Sequence, residues 1–201
     1  MGQVIEMTSI DANIVIWLNG LSGNITAFDN LMRIAASDYL MPLVFSLSML
    51  GLWFSGKNPE QRIRYQLTTL MGISALSISN IVVWLFNITI ERPRPFVEHG
   101  DELTLMFYSP TDPSFPANPV AVSFAVATAA WTINRKFGFW LYAVAALFGF
   151  SRMYAGIFYP TDIVGGAVVG ISIYVFTTYL RRFLEPLITS FVHLIRGFSA
   201  A

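Results

Sequence analysis

The chain has 201 residues, 55% of them hydrophobic and 12% charged, about half the charged share of an ordinary soluble domain. Twelve Lys and Arg balance twelve Asp and Glu, so no basic excess exists to hold a nucleic acid through its phosphates, and this hydrophobicity excludes a disordered chain. The lack of cysteine removes disulfides, thiolate metal sites and thiol nucleophiles.

Residues 1–38 are mixed in character. Ile14, Trp17, Leu18 and Leu21 fall at helical spacing, while Asp29, Arg33 and Asp38 interrupt the rest. That pattern predicts one or two amphipathic helices lying at a membrane interface; no cleavable signal peptide is expected. Crossing a bilayer core takes about 20 mostly apolar residues. Five runs approach that length: 40–55, 65–90, 118–134, 137–150 and 163–180. Only Arg135 and Lys136 separate the third from the fourth, which predicts a helical hairpin with a tight turn. Beyond Pro186 a short amphipathic stretch carries Arg196. The expectation is an all-α integral membrane protein. Its single domain, 1–201, has an interfacial segment over 1–38, a bundle of about five transmembrane helices over 39–185, and a second interfacial segment over 186–201.

Loop charges orient this arrangement. Lys57, Arg62, Arg64, Arg135, Lys136, Arg181, Arg182 and Arg196 fall at one end, and Arg33, Arg92, Arg94 and Arg152 at the other. Positive loops stay in the cytoplasm, so the second end is expected to face out. It carries three clusters: Glu91-Arg92-Pro93-Arg94-Pro95-Phe96; Ser114-Phe115-Pro116-Ala117-Asn118-Pro119; and the stretch that opens Ser151-Arg152-Met153-Tyr154-Ala155-Gly156 and closes Tyr159-Pro160-Thr161-Asp162-Ile163-Val164-Gly165-Gly166.

Together these clusters read as an anion site. Arg94 and Arg152 offer forked donors that match phosphate oxygens, and the first turn of the third span adds backbone N–H groups. Asn118 is expected as the N-cap of that span with Pro119 at its first helical position. Asp162 is expected to turn to Arg152 or to cap the fifth span. The competing reading pairs Arg92, Arg94 and Arg152 with Glu91, Glu98 and Asp162, or sends them to lipid headgroups. Gly166 and Gly170 form a small-xxx-small pattern that packs the fifth span within its own bundle rather than marking a dimer. The five tryptophans suit an aromatic belt. No metal site and no cofactor is expected.

These motifs resemble the type 2 phosphatidic acid phosphatase (PAP2) superfamily, and within it the bacterial undecaprenyl-diphosphate phosphatases. The family's first motif is Lys, six residues, then Arg-Pro; its second is Pro-Ser-x-His; its third is Ser-Arg, five residues, His, three residues, Asp. The resemblance implies metal-independent phosphoryl transfer. The third-motif histidine attacks phosphorus and is held by the Asp, the second-motif histidine protonates the leaving oxygen, and the Lys and two Arg hold the phosphoryl oxygens.

This chain keeps only part of that set. Arg94, Pro95, Pro116, Ser151, Arg152 and Asp162 match, but the Lys position is Asn87, the Ser position is Ala117, and the two histidine positions are Pro119 and Phe158. Neither proline nor phenylalanine can attack phosphorus or carry a proton. Of the remaining histidines, His193 falls at the cytoplasmic end, and His99 in the outer loop is the single candidate for rescued chemistry, with Asp101 or Glu102 as acid. The expectation is a catalytically inactive PAP2-like protein in a bacterial cytoplasmic membrane. Its partners would be membrane lipids, phosphate-bearing headgroups among them, and other membrane subunits. The alternative is a lipid phosphate or undecaprenyl-diphosphate phosphatase with non-standard residues, and a lipid carrier is a third reading.

Overall fold

The computed structural model describes residues 9–106 and 109–199, and the side chains of 10–106 and 109–182. The described residues form helices and no strands: α1 Ser9–Asn19, α2 Thr26–Ala35, α3 Leu40–Phe54, α4 Pro59–Ile90, α5 Pro95–Glu98, α6 Asn118–Ile133, α7 Arg135–Tyr154 and α8 Pro160–Ser199.

Local chemistry sets the boundaries that matter for the site. Asn58 caps α4 by accepting a hydrogen bond from the Gln61 N–H at 2.9 Å, with Pro59 in the first turn, where no intrahelical N–H is required. At the other end Glu91 adopts a left-handed φ of 48° and donates its N–H to Asn87 O, and the prolines that follow cannot continue a helix. Asn134 joins α6 to α7 by itself. Its N–H closes α6 on Ala130 O, and its side chain accepts from the N–H groups of Lys136 and Phe137 at 3.0 and 3.2 Å. The hairpin expected at Arg135 and Lys136 is therefore present.

The described residues before residue 39 form two helices. Gly23, with φ of 88°, supplies the turn between them, and its N–H is taken by Asp29 Oδ2 at 3.0 Å. Ile10, Ile14 and Trp17 of α1 and Phe28, Leu31 and Ile34 of α2 stay exposed; of the predicted stripe, Ile14, Trp17 and Leu21 are exposed while Leu18 turns into the bundle.

The segments Pro59–Glu98 and Pro160–Arg182 are long and apolar enough to cross a membrane, and α2 with α3, bent by 51°, would make a third span. The expected count of five is not matched by length alone: α3 and α6 have 15 and 16 residues, or about 22–24 Å at 1.5 Å per residue against a core of about 30 Å. Helix α8 runs unbroken through Pro186 to Ser199. The expected interfacial segment over 186–201 concerns side chains outside those described.

Helix α6 is the axis of the bundle, packed by α4, α7 and α8. Its Ala121, Ala125, Ala127, Ala129 and Ala130 are fully buried. Small side chains let neighbouring backbones close in, which matters where van der Waals contact rather than water release drives helix association. A Cβ at Gly170 would stand 2.1 Å from Ala121 O, and one at Gly166 would stand 2.5 Å from Ala117 O. The small-residue pattern of α8 thus packs against α6 inside the bundle.

Candidate anion site

The ends of α4 and α7 and the starts of α5, α6 and α8 meet at one end of the bundle. The three sequence clusters come together there.

Arg92 occupies the centre. Its Nη1 donates to Asp162 Oδ1 and to Thr161 Oγ1, both at 2.6 Å, and its Nη2 donates to Asp11 Oδ2 at 2.6 Å. Its Cζ lies 4.4 Å from the centroid of the Tyr159 ring. The Arg92, Asp11 and Asp162 side chains are 6%, 5% and 0% exposed, so one guanidinium is shared between two buried carboxylates, with the hydroxyl of Thr161 also donating to Asp11. Charges this deep are tolerable only when paired and hydrogen-bonded. Asp162 therefore pairs with Arg92, and the expected turn toward Arg152 does not occur. Its second oxygen accepts from the Tyr159 N–H at 2.8 Å, which anchors the start of α8.

Arg94, also buried, donates from Nε to Asp112 O at 2.8 Å and from Nη1 to Ile157 O at 3.4 Å, and it pairs through Nη2 with Asp112 Oδ2 at 2.9 Å. Its Cζ stands 4.5 Å from the centroid of Phe158. Arg94 also lies within electrostatic range of Asp162 and Arg152. Arg152 pairs through Nη2 with Asp38 at the α2–α3 bend, its Cζ rests 5.1 Å from the Phe148 centroid, and its buried Nε has no partner. Ser151 turns its hydroxyl back to Phe148 O at 2.8 Å.

The remaining positions are largely apolar. Phe158 is 3% exposed and packs with Ala117, Val120, Ala155 and Ile157, burying apolar surface at the family's histidine position. Asn118 is not the cap of α6. Ala117 holds that place, its extended backbone fixed by an N–H bond to Asp162 O at 3.0 Å, and Pro119 follows one position later than expected. The Oδ1 atoms of Asn118 and Asn87 are buried without a partner. His99 ends α5 with its N–H on Pro95 O, and its imidazole makes no hydrogen bond among the described residues; the His193 side chain is outside them. Tyr159 donates its hydroxyl to Glu98 Oε2 at 3.2 Å. Burial, and then the neighbouring Glu98 carboxylate, push its phenol above the ordinary value, so it stays protonated.

A cavity of about 420 Å³ opens beside this cluster, lined by Arg92, Arg94, Phe96, Val97 and Asp112 among others, but not by Arg152. Among the described residues no group of three or more His, Asp or Glu is placed to hold a metal.

Sequence reasoning gave no ion-pair role to three acids here: Asp11, Asp38 and Asp112. Asp11 could have been found, because it shares the face of α1 that buries Val15 and Leu18. An acid on an apolar helix stripe asks for a buried partner.

The sequence matches the PAP2 superfamily over residues 66–185. It is 31% identical, over 172 residues, to undecaprenyl-diphosphatase BcrC of Bacillus subtilis (strain 168), covering 84% of each chain. Among solved structures, it is similar to LpxE of Aquifex aeolicus with a TM-score of 0.71 and 23% identity, covering 88% of this chain and 99% of that one. It is also similar to a PAP2-type phosphatidylglycerolphosphate phosphatase of Bacillus subtilis, with a TM-score of 0.59 and 18% identity over 88% of this chain and 89% of that one.

Proposed function

Because this chain belongs to the PAP2 superfamily, we propose that it is a lipid-phosphate-binding member of that family which has given up phosphoryl transfer and acts as an accessory component in a bacterial membrane. The observation that carries this reading is the pairing of Arg94 with Phe158. At the position where the family resemblance puts a nucleophilic imidazole, a buried ring takes the guanidinium on its face at 4.5 Å. Asp162, which would orient such an imidazole, is committed to Arg92. Pro119 has no proton to give to a leaving group.

What remains suits anion recognition. Arg94 borders the 420 Å³ cavity, and the Asp112 side chain that holds it is 59% exposed, so an arriving phosphate can take its place at modest cost. The arginines, Ser151 and Asn118 belong to this reading as phosphate-holding and pocket-shaping residues. So do the extracytoplasmic placement of this end and a bundle of about five spans.

A second reading is favoured by the 31% identity to a protein named undecaprenyl-diphosphatase: the chain turns over a lipid phosphate with residues outside the family pattern, and His99 is the residue it would need.

Phosphate release from phosphatidic acid and from undecaprenyl diphosphate separates the two. The purified protein is expected to be silent, and the triple variant Ala117→Ser, Pro119→His, Phe158→His is expected to gain activity. Turnover by the unaltered chain that disappears in His99→Ala would establish the second reading. A pull-down from native membranes in mild detergent tests the accessory role, and recovery of no stoichiometric partner would remove it.

A further inference from the structure

At the opposite end of the bundle, away from every family motif, two cavities share a wall. One, of about 640 Å³, lies between α3 and the α6–α7 hairpin, and its lining is mostly apolar: Leu47, Leu52, Ile133, Phe137 and Trp140. The other, of about 260 Å³, is formed by Asn58, Arg62 and Gln66 with Pro59 and Ile63, so its rim carries a guanidinium and two amides over an apolar floor. Lys57 lines both.

We propose that this paired cavity is a binding site for an anionic glycerophospholipid, with one acyl chain between α3 and the hairpin and the headgroup phosphate between Lys57 and Arg62. The apolar cavity falls within the size range of small-molecule sites. Ser48 returns its hydroxyl to Val44 O and Ser55 returns its own to Leu52 O, so these wall hydroxyls make no demand for a polar guest.

Charge complementarity selects the headgroup. Lys57 and Arg62 are exposed, and their side chains have no acidic partner among the described residues. Arg64, Arg135 and Lys136 add to the same end, while Glu60 is the single acid between residues 55 and 66. Tyr65 and Trp140 flank the apolar wall, where amphipathic rings favour the water–hydrocarbon boundary. The rim is also built to hold its shape. Gly56 brings the loop so close to α4 that a Cβ there would stand 2.5 Å from Arg62 Cα, and the Asn58 cap fixes the first turn. The apolar cavity has a glycine in its wall, Gly51, where an added Cβ would meet nothing within 4 Å.

The test is lipid retention by native mass spectrometry, after purification of the full chain from bilayers of equal phosphatidylglycerol and phosphatidylcholine. Phosphatidylglycerol is expected to be retained in preference. The variant Lys57→Gln/Arg62→Gln should lose about fivefold of that preference for each charge removed, with unchanged thermal stability. Gly51→Leu should fill the cleft and lower retention of both lipids; Ser48→Leu on the same wall gives a second readout if Gly51→Leu unfolds. Equal retention of the two lipids overturns the proposal, as does a preference that survives the double charge variant. A preference lost in Arg94→Gln/Arg152→Gln instead would place the lipid at the other end of the bundle and also overturn it.

Discussion

The guanidinium of Arg94 stands 4.5 Å above the ring of Phe158 while Asp112 holds its edge through Nε and Nη2. The cation is thus held by an aromatic face and a surface carboxylate at once, and the two supports can be removed separately.

Phe158→Leu keeps the apolar volume but loses the ring face, so it is expected to lower stability by about 0.5–2 kcal/mol. Phe158→Ala also opens a cavity and is expected to cost about 3–5 kcal/mol. Thermal unfolding of both variants in one detergent checks the order, and equal losses would contradict it.

Asp112→Asn should tighten binding of inorganic phosphate or of a short-chain phosphatidic acid, because it frees Arg94 from its competing anion. The gain is limited to about fivefold, since the Asp112 side chain is 59% exposed and a solvent-screened carboxylate holds its cation by about 1 kcal/mol at most. Calorimetric titration measures it, with Arg94→Gln expected to abolish the response.

Removing the central guanidinium leaves two carboxylates buried without a counter-charge. Arg92→Met is therefore expected to destabilise the fold by about 3–5 kcal/mol. Adding Asp11→Asn and Asp162→Asn should recover most of that loss, a rescue visible as a regained melting temperature.

Tyr159 gives a pH signature. Its phenol is raised in the folded chain by burial and by Glu98, so the stability it contributes is fully present below the unfolded phenol's pKa of about 10 and is lost as pH rises above it. The melting temperature of the unaltered chain should fall more steeply above about pH 10 than that of Tyr159→Phe. Below that pH the variant should sit lower by about 1 kcal/mol, the worth of the hydroxyl's bond to Glu98.

Gly170→Ala puts a methyl where Ala121 O already stands, at 2.1 Å, and is expected to cost more than Gly166→Ala, whose contact is 2.5 Å. Both exceed the about 1–3 kcal/mol of ordinary overpacking because the obstacle is backbone. Folded yield from membranes reads the difference.

What could be read from the chain followed how far apart the partners lie. The hairpin at Arg135 and Lys136 and the end of the second span at Ile90 depend on neighbours within a few residues, where proline and asparagine act by known geometry; Gly166 and Gly170 show locally only as a small-residue pattern, whose partners Ala117 and Ala121 lie far back in the chain. The choice among ion pairs does not. Nothing in the local pattern tells Arg92 from Arg94, and the partner of Arg152 is Asp38, 114 positions earlier. Asn118 misled because Asn before Pro is a good helix start, yet α8 reaches across to fix Ala117 instead. The missing imidazoles were plain from the motif, whereas the use of Phe158 as a platform for Arg94 required the folded geometry.

The reach of Asp11 bears on the order in which the protein is made. Its partners Arg92 and Thr161 lie 81 and 150 positions later in the chain. Asp11 therefore has no ion-pair partner within α1 or α2 and depends on chain made much later. The cluster thus ties the first helix to the start of the last: a chain truncated before α8 would keep the Asp11–Arg92 pair but lose both Thr161 and Asp162, leaving Arg92 with one of its two carboxylates.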